Sequence, residues 1–240
     1  MRRLAFALLI PLAGCGVWSS DDNVPGVAAT GSGNERRYAV ADFASIDQRG
    51  PDDVDVRVGT GFSVRAEGDP DTVLRVKIAK DGKRLLITRE RGGISWQSGS
   101  AKIYVTMPRI EAASLAGAGD VTVDRVEGGT FNGSIAGSGT LKLGRVGVSR
   151  LELSIAGSGD AEAAGEAQAL SVNIAGSGDI EASGLRATSA DVNIAGSGSV
   201  RAVVSGPAKV AIMGAGDVDL GPEADCEVSK LGAGEVRCRR

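Results

Sequence analysis

Residues 155–160 read Ile-Ala-Gly-Ser-Gly-Asp, and the same IAGSGD returns at residues 174–179. Near copies flank it: LAGAGD from Leu115, IAGSGT from Ile135, IAGSGS from Ile194, IMGAGD from Ile212 and a worn LGAGE from Leu231. The first glycines of these copies, Gly117, Gly137, Gly157, Gly176, Gly196, Gly214 and Gly232, are spaced 20, 20, 19, 20, 18 and 18 residues apart. A period this regular marks stacked units. What stacks follows from the flanks. Leu153 and Ile155, Val172 and Ile174, Val192 and Ile194, and Val210 and Ile212 alternate with polar or small residues before the glycines. Val121 and Val123, Leu141 and Leu143, Ile180 and Ala182, Val200 and Ala202, and Val218 and Leu220 do so after them. Period-two alternation is the mark of strands, so each unit is a strand, a Gly-x-Gly corner, a strand and a return segment.

Two short strands cannot enclose a core alone. Coiling the chain puts each apolar residue over its counterpart one turn earlier, which predicts a parallel β-helix of about 20-residue, Gly-rich coils. Coils stack about 4.8 Å apart, so seven span roughly 30 Å. The corner recurs in every coil because Gly reaches φ > 0 and lets stacked backbones approach closely. A leucine-rich repeat has a similar period but needs a regular Asn or Cys ladder and more Leu.

Residues 38–109 hold strand patterns without copies: VDVRVG from Val54, SVRAEG from Ser63, LRVKIA from Leu74, RLLITRE from Arg84 and KIYVTMP from Lys102. Asp81-Gly82 between two alternating runs signals a hairpin. This segment is expected to form an antiparallel sheet or irregular coils that cap the N-terminal end of the β-helix. Arg237, Arg239 and Arg240 are placed to discourage edge pairing at the other end.

Composition sets the limits on function. The 240 residues are 42% hydrophobic but only 3% aromatic, with 36 Gly, as expected of an all-β chain with a Val, Ile, Leu and Ala core. A net charge of -3 gives no basic field for nucleic acid. The absence of His removes the usual general base and the commonest metal ligand. Gly-x-Gly as a nucleotide cradle needs a helix after it. Here strands lie on both sides, so no nucleotide and no cofactor are expected.

Three chemistries remain to be weighed. The residues after the corners, Asp120, Thr140, Asp160, Asp179, Ser199, Asp217 and Glu235, form a column in which Asp160 and Asp179 are neighbouring carboxylates, weak candidates for calcium. The simpler reading is that these side chains accept a backbone N–H at the turn. Glu152, Glu162 and Glu181 would be the acids of a polysaccharide-active enzyme, but alternation turns them outward, and a sugar groove also wants aromatic rings while Phe131 is the only one in the repeats. Trp96, in GGISWQSGS, either docks a partner or packs back on the sheet. Outward Ser171, Asn173, Asp191 and Asn193 would suit docking of sugar or protein through many weak hydrogen bonds. Cys226 and Cys238 take inward-alternating positions of the last coil, as Val228 and Val236 do, and are either a disulfide closing a loop of about a dozen residues or two buried thiols.

The N-terminus reads MRRLAFALLIPLAGC: two arginines, then an apolar run too short to span a bilayer. Leu12-Ala13-Gly14-Cys15 resembles the lipobox of bacterial lipoproteins in all four positions, which implies cleavage before Cys15 and acylation of its thiol. Gly16 in place of the Asp that retains such proteins at the inner membrane implies the outer membrane. Residues 1–14 are then a signal peptide, and residues 15–36, rich in Gly, Ser, Asp and Asn, a flexible tether.

YAVADFASIDQRGPDDVDVRVG, then SVRAEGD, RLLIT and KIYVTMP strands and a tail of (I/L)AGSGD copies, together resemble the bacterial head GIN domain family, also known as putative autotransporter adhesins. The resemblance covers about residues 38–240, with residues 37–114 as the N-terminal β region and 115–240 as the β-helix repeats. It implies a right-handed parallel β-helix on a non-enzymatic envelope lipoprotein. Its membrane anchor would be that lipid, and the partners expected are an envelope polysaccharide or a surface protein.

Overall fold

The computed structural model describes residues 24–90 and 99–239. One coil explains the rest. Along Thr140–Gly157 buried and exposed residues alternate, except that Gly144-Arg145 and Ser149-Arg150 are both exposed. Two outward residues in succession turn the chain. They divide the coil into three inward-facing runs: Leu141 and Leu143, then Val146 and Val148, then Leu151, Leu153 and Ile155. The return segment expected from the sequence is therefore a strand in its own right.

Stacking is in parallel register. Ile135 lies beside Ile155, Ile155 beside Ile174, Ile174 beside Ile194, and Ile194 beside Ile212. The chain forms a parallel β-solenoid of about six turns after a non-repeating N-terminal β region. Repeats shorter than 20 residues fit because register shifts fall between Glu162 and Ala164 and between Ala182 and Arg186, at the corner between the first two runs. The Gly-x-Gly corner never shifts. Size changes inside are compensated locally. Gly133 occupies an inward position where a Cβ would lie 2.7 Å from Leu141 and 2.8 Å from Leu153, so its missing side chain leaves room for these two leucines beside fully buried Phe131.

The corner glycines have a steric cause. At Gly176 φ is +140° and a Cβ would stand 2.1 Å from the carbonyl oxygen of Gly157 one coil below; at Gly139 it would stand 2.0 Å from that of Gly119. No other residue permits both this backbone and this approach.

The coil geometry starts before the written repeat. Ser45–Gly50 pairs in parallel with Ala112–Gly117, placing Gly50 under Gly117, and Asp53–Val58 pairs with residues 121–123. Gly50-Pro51-Asp52 is thus a corner without the repeat's sequence. Beneath it lie Arg84–Arg89 and Lys102–Met107, also parallel. Outside these, Val76–Asp81, Ser63–Glu67 and Glu35–Tyr38 run antiparallel and close the end. The hairpin expected near Asp81-Gly82 joins Val76–Asp81 to Arg84–Arg89. A short helix, Pro70–Leu74, was not expected; Asp69 caps it by accepting the Asp71 N–H, and Pro70 starts it.

One expectation is corrected. The tether does not extend to residue 36: Gly26 bridges Ala79, Ala29–Thr30 pairs with residues 37–38, and Glu35–Tyr38 pairs with Ser63–Glu67. Gly- and Ser-rich composition suggested a free chain, but backbone pairing to the cap's edge strands ignores side chains. Likewise no gap in strand pairing marks residue 114, since all the described strands share one 18-stranded sheet.

Candidate functional site

The third run of each coil faces outward with two columns. The first contains Ser114, Ser134, Ser154, Asn173 and Asn193, and the second Ala136, Ala156, Ala175 and Ala195, continued by Met213 and Leu231. Between them runs a shallow groove of about 820 Å³. Its polar rail is ordered: Ser134 Oγ donates to Ser114 Oγ at 2.9 Å, and Asn193 Nδ2 donates to Asp191 Oδ1 at 2.7 Å and to Asn173 Oδ1 at 3.4 Å. Of the polar residues expected to share a docking face, Ser171 lies beside Asp191 and Asn173 beside Asn193. Sequence reasoning missed the apolar half. Its signal was the Ala after each Ile, replaced by Met213 and Leu231, which are 64% and 72% exposed.

Two of the three candidate acids, Glu162 and Glu181, lie on another side. The first run points Lys142, Glu162, Glu181 and Arg201 outward in one column. Lys142 pairs with Glu162 at 2.9 Å and Arg201 with Glu181 at 3.3 Å. Glu181 binds protons less readily than an ordinary carboxylate, chiefly because the Ser183 hydroxyl donates to it and Arg201 stands beside it. A general acid requires the opposite shift. Glu152 lies in the third run, with Arg150 3.9 Å away.

The corner column has a mechanical role. Asp120 Oδ1 accepts the N–H of Thr140 at 2.9 Å, Asp160 that of Asp179 at 2.9 Å, Asp179 that of Ser199 at 2.7 Å, and Asp217 that of Glu235 at 2.7 Å. Asp53 does the same for Asp120 at 3.0 Å. The expected turn bond is made, but to the next coil rather than within the corner. Where Thr140 interrupts the column, the Asp160 N–H turns to the Gly139 carbonyl at 3.2 Å. Asp160 and Asp179 thus each spend an oxygen on a neighbouring coil. No cluster of three or more His, Cys, Asp or Glu suited to a metal occurs among the described residues.

Cys226 and Cys238 are joined, with Cα atoms 6.1 Å apart. Val228 and Val236 stand inward in register with Val210 and Val218, but no described strand covers them, and Val228 is 46% exposed. Cys15 and Trp96 lie outside the described residues.

The family model described as "Putative auto-transporter adhesin, head GIN domain" matches residues 42–222. A solved structure described as a putative adhesin from Bacteroides fragilis is 22% identical, with a TM-score of 0.75 over 85% of this chain and 95% of that one. A putative lipid binding protein from Parabacteroides distasonis is 21% identical, with a TM-score of 0.67 over 88% and 98%. A putative adhesin from the same species is 20% identical, with a TM-score of 0.68 over 88% and 97%. At such identities these likenesses establish the fold. No curated protein matches. The family match spans every coil and corner but the last and most of the N-terminal region, and the chain belongs to the head GIN domain family of adhesin-like proteins.

Proposed function

We propose that this chain is an exported, lipid-anchored envelope protein that binds, without catalysis, an extended envelope polymer along the Ser/Asn and Ala columns. The observation that carries this is the repetition of one polar and one small apolar group per coil, at a spacing of about 4.8 Å. A repeating ligand meets the same pair of contacts many times, each weak and together sufficient. The family's adhesin description supports the same reading. Outward acids beside Lys142 and Arg201 support a solvated wall rather than a catalytic pair. Cys15 acylation, the outer membrane, and a polysaccharide or surface protein as partner complete the proposal. The sequence of residues 12–15 supports the anchor.

Affinity capture on envelope polysaccharide and on outer-membrane extracts tests it. Retention that is lost when Asn173 and Asn193 are both changed to Ala supports the face; retention unaffected by that pair moves the site elsewhere. A mass spectrum of the mature N-terminus decides acylation separately. The apolar floor, ending in Met213 and Leu231, favours a second reading, an acyl chain lying along the Ala column. Displacement of a fluorescent fatty acid, abolished by Ala175→Asp, would support it.

A further inference from the structure

The two ends of the solenoid are finished differently. Antiparallel strands and a helix cover the N-terminal end. At the other end, Asp225–Gly232 pairs only with Pro207–Gly214 and Val236–Arg237 only with Val218–Asp219, so among the described residues no strand covers their outer side. An open edge with unpaired N–H and C=O groups invites another strand.

We propose that this end docks a second copy of the chain, tail to tail, across a two-fold axis. The charges indicate the partner. Exposed Asp225 and Glu227 lie on one arm of the last coil, and exposed Arg237 and Arg239 on the other, with the Gly232-Ala233-Gly234 corner between. A two-fold axis near that corner turns the second copy over, so strands meet antiparallel and each acidic arm lies on the other copy's basic arm. The register that keeps inward residues on inward residues sets Glu227 against the second copy's Arg237, Asp225 against its Arg239, and Val228 over its Val236. Symmetry doubles every contact.

Within one copy Arg237 is already held by Glu235 at 3.2 Å, so each Arg237 would lie between two carboxylates. Lys230, which replaces Ile in the inward column beside Ile212, donates to its own Gly234 carbonyl at 2.6 Å and so is bonded within its own coil. The described chain enters at the opposite end, where Gly26 bridges the outermost strand. A tail-to-tail pair therefore holds its two N-terminal ends far apart. If Cys15 is lipidated, a step that rests on the function proposed above, paired copies would join two facing membranes.

Sedimentation equilibrium of the mature chain carrying Cys15→Ser tests the docking. A concentration-dependent dimer that weakens with salt is expected. Glu227→Arg or Arg237→Glu alone should weaken it about tenfold or more by setting like charges against each other, and the two together should restore it. All these positions are exposed, so circular dichroism should show folding unchanged. A monomer at every concentration, or a dimer indifferent to either single change, overturns the proposal. Vesicles carrying the acylated chain form the second arm. Clustering lost with Glu227→Arg supports the membrane-joining role, while dimerisation in solution without clustering leaves the docking surface standing and overturns the membrane-joining role.

Discussion

The N-terminal end and the coils close their cores by opposite means. In the coils most inward side chains meet a near copy of themselves one turn away, so the interior is almost wholly apolar and the cost falls on the corners, where the repeat's glycines let stacked backbones approach. The N-terminal end has no earlier coil to copy. It closes with dissimilar parts: Tyr38 donates its hydroxyl to the Val76 carbonyl at 3.0 Å, Phe43 and Phe62 stack tilted at 4.9 Å, and Asp52 is buried with Arg89. Asp52 is 1% exposed and takes both Arg89 Nε at 2.9 Å and the Ala101 N–H at 2.8 Å. Repetition makes backbone geometry critical, and its absence makes a few polar contacts critical.

The largest test strikes the corners. Gly176→Ala sets a Cβ 2.1 Å from the Gly157 carbonyl oxygen at a φ of +140° and should cost about 4 kcal/mol or more. Gly128 has a similar φ of +127° but open space around it, so Gly128→Ala should cost only about 1 to 2 kcal/mol. Thermal unfolding of the two variants separates contact from conformation. Equal losses would mean that φ, not coil stacking, selects the glycines.

The matching test at the capped end is Arg89→Met, which strands a buried carboxylate and should cost about 3 to 5 kcal/mol. Adding Asp52→Asn should recover much of that, because a neutral amide is cheaper to bury than an unpaired charge. If the double variant is no better than the single, Arg89 acts through its bond to the Gly99 carbonyl rather than through Asp52.

These two ends also differ in how much could be read beforehand. The coils were legible because their constraints repeat: seven Gly-x-Gly corners flanked by alternation identify strands, period and inward columns. The groove was half legible, since polar Asn173 and Asn193 draw notice while outward alanines read as neutral. The corner beneath Gly117 was not legible. Gly50-Pro51-Asp52 performs the same turn with different residues, and its place in the stack depends on long-range pairing of Ser45–Gly50 with Ala112–Gly117. The docking of residues 26–38 was hidden for a similar reason, because edge pairing uses backbone atoms.

At the open end the bond between Cys226 and Cys238 substitutes for burial that Val228 lacks. Replacing both by Ser should destabilise the last coil by about 3 kcal/mol. The effect should stay local, as solenoid contacts run only between neighbours. Hydrogen exchange should quicken in residues 225–239 and remain slow in the coils around Ile155 and Ile174. Faster exchange throughout would mean that the end coil holds the whole stack together.

The smallest expected effect decides what the corner column is for. Asp160→Ala removes the acceptor of the Asp179 N–H and should cost about 1 kcal/mol. The natural interruption provides the reverse experiment. At Thr140 the next coil's N–H falls back on a carbonyl at 3.2 Å, so Thr140→Asp should supply the missing acceptor and add up to about 1 kcal/mol. It also closes the gap between Asp120 below and Asp160 and Asp179 above, leaving an unbroken run of carboxylates. A column that staples coils gains stability from the new Asp alike with calcium or with chelator, because each carboxylate is used by a backbone N–H. A column built for a cation would gain only when calcium is present, and would lose in chelator through repulsion along the unbroken run of negative charges. Melting temperatures of the wild type and Thr140→Asp in calcium and in chelator therefore separate the two roles by sign, even though the energies are small.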